Sequence, residues 1–142
     1  MIGLEGTQAE PFCIRLEIGK PIPIGETIFF AKLYSRNQFD SAVKVNNLLT
    51  NSCLDYDTLS GEVFVRSRQN GDAYHPVSRG GKTLKKLFNE KNIPVYQRNS
   101  IPVLCDAEGI VMVSGFGCDE RVKLTSDTQS ILVFTTHKNF KE

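Results

Sequence analysis

The chain has 142 residues, 17 Lys and Arg against 16 Asp and Glu, a net charge of +1 and a hydrophobic fraction of 40%. That size and composition suit one domain or two small ones and exclude wholesale disorder. No apolar run approaches the roughly 20 residues of a membrane helix, and MIGLEGTQAEPF lacks the basic and apolar regions of a secretory signal, so a cytoplasmic protein with no membrane partner is expected.

Residues 1–10 read as a loose leader. Phe12 to Ile18 alternates as a strand, with Phe12, Ile14, Leu16 and Ile18 on one face. Pro21, Pro23 and Gly25 make 19–26 a connection, and Thr27 to Tyr34 reads as the returning strand. Residues 35–60 are ambiguous: Asn46 and Asn47 interrupt any long period, 41–45 suits strand or helix, and a turn follows Leu54. Gly61 to Arg68 alternates again. Val63 and Val65 should face a core, while Phe64, Arg66 and Arg68 face away.

Ser78 to Gly81 is a glycine loop leading into a helix predicted over 82–91. Leu84, Leu87 and Phe88 form its apolar face, with Lys82, Lys85, Lys86 and Asn89 opposite. Pro94 ends it, and a short helical turn is expected over 94–98. Strands are predicted at 101–105 and 110–113, joined by a hairpin, then around 121–124 and 131–135, with a frayed end from His137. The fold class is α+β, a mainly antiparallel β-sheet or small barrel with one principal short helix.

Charge is unevenly spread. Residues 66–98 hold eight Lys and Arg against Asp72 and Glu90, a net of +6, which leaves −5 for the remainder. That asymmetry points to a polyanionic partner. The competing reading is a solvated surface. Tyr74 and Tyr96 flank the basic stretch and either stack on bases or pack inside.

Other chemistry is poorly supported. Gly81-Lys82-Thr83 resembles the end of a phosphate loop, but Pro76 stands where that motif needs a glycine. Backbone N–H groups near Gly80 and Gly81, at a helix N-terminus, remain candidates for phosphate contact. His75 and His137 read as surface histidines, Cys118-Asp119-Glu120 has no partner histidine in register, and Asp55 and Asp57 read as turn caps. Cys13, Cys53, Cys105 and Cys118 form no Cys-x-x-Cys pair, so no metal site is expected, and neighbours such as Phe12, Val103 and Leu104 suggest buried free thiols in a reducing cytosol. No catalytic residue is assigned.

The order of motifs resembles the C-terminal domain of bacterial tRNA(Ile)-lysidine synthetase over about residues 54–134. The matching residues are Leu59-Ser60-Gly61, Val65-Arg66-Ser67-Arg68 with Gly71-Asp72, Gly80-Gly81-Lys82, and Leu84-Lys85-Lys86-Leu87-Phe88. Ile93-Pro94, Arg98, Ile101-Pro102-Val103-Leu104, Gly109-Ile110-Val111, Gly115 and Asp119-Glu120-Arg121-Val122-Lys123 complete them. Ala73 and Met112 depart from the Arg and Trp often found there, and the Ser-Gly-Gly-x-Asp-Ser loop of the family's catalytic half is absent from this sequence.

The resemblance divides the chain into 1–50, a leader with strands resembling the end of the preceding region, then the domain at 51–136 and a tail at 137–142. It implies an enzyme that uses ATP, with magnesium, to attach lysine to the wobble cytidine of an isoleucine tRNA. This piece would hold the acceptor-stem side and need no cofactor of its own, and the catalytic half would be its partner. The residues expected to contact tRNA are Arg66, Arg68, Arg79, Gly80, Gly81, Lys82, Lys85, Lys86 and Arg98. The alternative is a protein–protein module, homodimerisation included, without RNA binding.

Overall fold

The computed structural model describes residues 10–45 and 52–138. The leader through residue 9, the interruption at Asn46 and Asn47, and the tail beyond Lys138 lie outside the described residues. The strands are β1 Cys13–Arg15, β2 Ile22–Ile24, β3 Thr27–Ser35, β4 Cys53–Asp55, β5 Phe64–Arg66, β6 Ala73–Tyr74, β7 Lys82–Thr83, β8 Val103–Asp106, β9 Gly109–Val113, β10 Gly117–Cys118 and β11 Ser130–Lys138. The α-helices among the described residues are α1 Arg36–Val45, α2 Leu84–Glu90 and α3 Val95–Arg98. Strand pairing among the described residues is antiparallel throughout. The α+β, mainly antiparallel class expected from the sequence is the one observed.

The strands form a five-stranded sheet, β1-β5-β8-β9-β10, a four-stranded sheet, β2-β3-β11-β4, and a two-stranded ribbon, β6-β7. The period-two geometry of a strand explains how they stack. Along β11, Leu132 and Phe134 enter a core with Phe29, Ala31 and Leu54 of their own sheet and Val65, Leu104 and Val111 of the other. Ile131 and Val133 point the opposite way and pack with Cys53 and Phe39 of α1. The far face of the five-stranded sheet contributes Val103, Ile110 and Val113 to a third cluster with Tyr74, Leu84, Leu87 and Phe88. The order of layers is therefore α1, four-stranded sheet, five-stranded sheet, and an outer layer of β6, β7, α2 and α3. Central strands buried on both faces read as unbroken apolar runs, which is why Ile131 to Phe134 shows no polar alternation.

Four expectations change. Residues 22–24 form a strand rather than a connection: Ile22 and Ile24 are buried while Pro23 is exposed between them. β2 is an edge strand, where a proline need not donate a ladder hydrogen bond. β3 does not return along β1; it pairs with β2 and, over nine residues, with β11. The segment divided off at residue 50 thus shares its sheet with strands from beyond it. Residues 121–124 form no strand, because Asp119 accepts from the Arg121 N–H at 3.0 Å and caps a 3-10 turn at Glu120–Val122. Strand β11 also continues through His137 and Lys138, into the part read as a frayed end.

The longest helix is α1, in the segment left ambiguous. Ser35 Oγ accepts from the Gln38 N–H at 3.2 Å, and Gln38 Oε1 accepts from the Ser35 N–H at 2.9 Å. This reciprocal capping box satisfies two otherwise orphaned donors and starts the helix. Phe39, 5% exposed, anchors it to the sheet.

Candidate nucleic-acid interface

The charged segment forms the outer layer. Leu84, Leu87 and Phe88 are all at most 2% exposed, on the α2 face predicted from their spacing. Burial of each supplies roughly 1.5–3 kcal/mol toward holding the helix on the sheet. Phe88 also packs against Phe116, ring centroids 5.3 Å apart. The helix begins at Leu84 because Thr83 caps it: its hydroxyl accepts from the Lys86 N–H at 3.1 Å. The Leu84 N–H donates to the Asp72 carbonyl at 2.9 Å.

The glycine pair consequently does not sit at a helix N-terminus. Lys82 and Thr83 intervene as β7, paired with β6. Gly80 has φ +72°, a conformation that favours glycine, and a Cβ on Gly81 would lie 3.1 Å from His75 Nε2. Both glycines have a structural reason to be where they are, and the first-turn donors of α2 at Leu84 and Lys86 are already engaged.

The predicted arginines separate. Arg66 donates to Asp72 through both terminal nitrogens, at 2.9 and 3.0 Å, and to the Ser67 carbonyl at 2.9 Å. Asp72 also accepts from the Gln69 N–H at 2.7 Å, so this pair closes the turn between β5 and β6. The hydrogen bond to Asp72 is the main reason the Arg66 guanidinium is held above its ordinary pKa. Arg68 donates from Nε to Asn99 Oδ1 at 2.9 Å and faces no carboxylate in that contact.

Arg98 is a correction. It is only 8% exposed, donates to the Ile93 carbonyl at 2.9 Å and to Asn89 Oδ1 at 3.0 Å, and lies 5.6 Å from the Phe88 ring centroid. Its guanidinium ties α3 to α2 from within and is not presented to a ligand. Charge is visible in a sequence; burial of that charge depends on how two short helices dock.

Arg79 and Lys82 meet over one carboxylate, Glu90, at 2.7 and 3.2 Å. Hydrogen bonds from Arg79 first and Lys82 second hold the Glu90 carboxyl below its usual range. Two cations over one anion leave one positive charge in surplus, and exposed pairs of this kind bind weakly enough to exchange partners. Lys85 and Lys86 are exposed and have no side-chain partner among the described residues. Lys82 belongs to β7 rather than to their helix, so the predicted stripe is divided between two elements.

Lys91, counted in the charge but left out of the site, is also exposed, just past α2. Arg79 and Lys123 line a common cleft of 540 Å³ with Val77 and Phe116. The only sequence signal for Lys123 was its place in Asp119-Glu120-Arg121-Val122-Lys123. The flanking tyrosines part as well. Tyr74 is 4% exposed and donates its hydroxyl to the Gly117 carbonyl at 3.0 Å, whereas Tyr96 is 41% exposed.

Asp55 caps as expected, accepting from the Asp57 N–H at 3.1 Å. None of the four cysteines is in a disulfide: Cys53 and Cys118 are buried as expected, Cys105 is partly buried, and Cys13 is exposed. Among the described residues no helix is long and apolar enough to cross a membrane.

Residues 63–134 match the family described as the TilS substrate C-terminal domain. The chain is 39% identical over 80 residues to the tRNA(Ile)-lysidine synthase of Caldanaerobacter subterraneus subsp. tengcongensis, covering 56% of this chain and 17% of that protein. It is 41% identical over 66 residues to that of Solibacter usitatus, covering 46% of this chain and 15% of that protein. The chain therefore spans less than a fifth of either relative. A solved TILS C-terminal domain superposes with a TM-score of 0.73 at 19% identity, covering 93% of this chain and all of that one. An N-terminal fragment of the phenylalanyl-tRNA synthetase β-subunit from Pyrococcus horikoshii shares the fold more distantly, with a TM-score of 0.54 at 14% identity, covering 78% of this chain and 38% of that one.

Proposed function

The chain belongs to the family of TilS substrate C-terminal domains, and from that premise we propose that it positions tRNA for a lysidine-forming synthase. The observation that carries this reading is the outer face of α2, where Lys85 and Lys86 stand exposed without acidic partners. The surplus charge of Arg79 and Lys82 over Glu90 lies on the same layer. Such groups contact phosphates and fix the register of a duplex without reading its bases. The chemistry, with ATP, magnesium and lysine, belongs on this proposal to a catalytic half in the cytoplasm, and the isoleucine tRNA is the substrate they share.

The test is electrophoretic mobility of the chain with purified isoleucine tRNA across a salt series. About four neutralised phosphates give a slope of log affinity on log salt of about −3.6 at −0.9 each. Salt-independent self-association with no retarded RNA would overturn the proposal and support a dimerisation module.

A further inference from the structure

Tyr96 is a large aromatic side chain left 41% exposed. It lies on α3, a helix of four residues, beside Val95, which is 55% exposed. Among the described residues its hydroxyl accepts from Gln97 Nε2, at 3.3 Å.

Tyr96 lines a cleft of 650 Å³ whose other walls include Gln97, Ser100, Ile101, Ser114 and Thr136. An aromatic residue thus stands among neutral hydroxyls, an amide and apolar side chains, with Glu26 the one ionisable carboxyl among the described lining residues. Ser100 in its wall follows Asn99, whose side chain accepts from Arg68 Nε at 2.9 Å. Among the described residues that line it there is no cation to meet a phosphate. A nucleobase would find a stacking platform and hydrogen-bonding groups for its edges.

We propose that Tyr96 and this cleft receive an unpaired nucleotide adjoining the stem that the lysine face grips. The inference rests on the tRNA-positioning reading and adds a single-strand site to it. A duplex base cannot reach the ring because its faces are stacked on its neighbours, so the occupant is single-stranded.

The test uses two RNA hairpins with the same stem, one blunt and one bearing a four-nucleotide 3′ extension. The parent chain should prefer the extended hairpin. Tyr96→Ala should erase that preference, a loss of about 5- to 150-fold on the extended probe alone, as removal of one base-stacking aromatic does. Tyr96→Phe should retain it. The salt slope should not change, because no phosphate contact is removed.

The chain contains no tryptophan, so Tyr96→Trp provides a fluorescence reporter that the extended hairpin should quench and the blunt one should not. Equal affinity of the parent for both probes, an unaltered preference in Tyr96→Ala, or unquenched emission would each overturn the inference while leaving duplex binding intact. Failure to bind either hairpin or tRNA would instead defeat the tRNA-positioning reading, and this inference with it.

Discussion

Replacing Arg98 by alanine should destabilise the domain and leave its salt-dependent RNA binding unchanged. The guanidinium makes two hydrogen bonds, to the Ile93 carbonyl and to Asn89 Oδ1, and stacks near Phe88. A hydrogen bond from a charged donor contributes roughly 1.5–3 kcal/mol, and a cation near a ring about 0.5–1. Asn89 is exposed and can rehydrate, so its bond counts at the low end or below. The total is about 2–4 kcal/mol. For a chain of this size each kcal/mol moves the midpoint by roughly 3 °C, so the melting temperature should fall by about 6–12 °C. Thermal circular dichroism measures the fall, and a tRNA titration over a salt series measures the slope. Arg98→Met, which keeps the stem but not the donors, should recover only part of the loss. A variant that melts within about 2 °C of the parent and loses about one unit of salt slope would refute the structural assignment and restore Arg98 to the RNA surface.

The double variant Lys85→Ala/Lys86→Ala should melt within about 1 kcal/mol of the parent, since both residues are exposed, and should flatten the salt slope by nearly two units; an unchanged slope would make the lysines a solvated face. Asp106, whose side chain is fully buried, accepts two bonds from Arg121 and the N–H groups of Ser60 and Glu108. Burial by itself would raise its carboxyl, but these hydrogen bonds outweigh burial and hold it below 3.8. The stability it adds is therefore present above about pH 4 and lost as pH falls through its folded value. Asp106→Asn should cost about 2–4 kcal/mol at neutral pH, less than a fully buried pair because Arg121 is 31% exposed, and the gap between the two melting curves should close in acid. Cys13 should react first with a thiol reagent at mildly alkaline pH, because burial pushes the Cys53 thiol up to about 12 and the Cys118 thiol up to about 11; prompt labelling of either buried thiol would contradict that.

Periodicity made the central strands and the buried face of α2 legible, because apolar side chains repeat at the spacing that packing demands. Leu84, Leu87 and Phe88 needed only their spacing, and Val65 needed only its neighbours. Features governed by one side-chain contact were harder. The start of α1 was written in Ser35-Arg36-Asn37-Gln38, a capping-box pattern that the broken periodicity at Asn46 and Asn47 obscured. β2 was hidden by its prolines, which are ordinary turn formers until a strand is known to lie on an edge. Arg121-Val122-Lys123-Leu124 alternates like a strand, and only the Asp119 cap shows why it turns instead.

The same contrast governs the charged layer. A count of basic residues treats eight side chains as equivalent, but the fold assigns them different partners. Arg66 is neutralised by Asp72, Arg98 is enclosed by α2 and α3, and Glu90 offsets one of the two cations above it. Much of the arginine charge thus fastens turns and helices to the five-stranded sheet. The exposed lysines add little to that architecture and keep their charge for solvent or a ligand. This division follows from the side chains themselves. Arginine's planar fork suits a fixed two-point contact such as that with Asp72, and a lysine amine on a flexible stem suits a phosphate that arrives from outside. Substituting the paired arginines should register mainly in the melting temperature and substituting the lysines in the salt slope. Arg79 is the informative exception: its ion pair with Glu90 is exposed enough to open, so the one guanidinium can serve the fold when RNA is absent and a phosphate when it is bound.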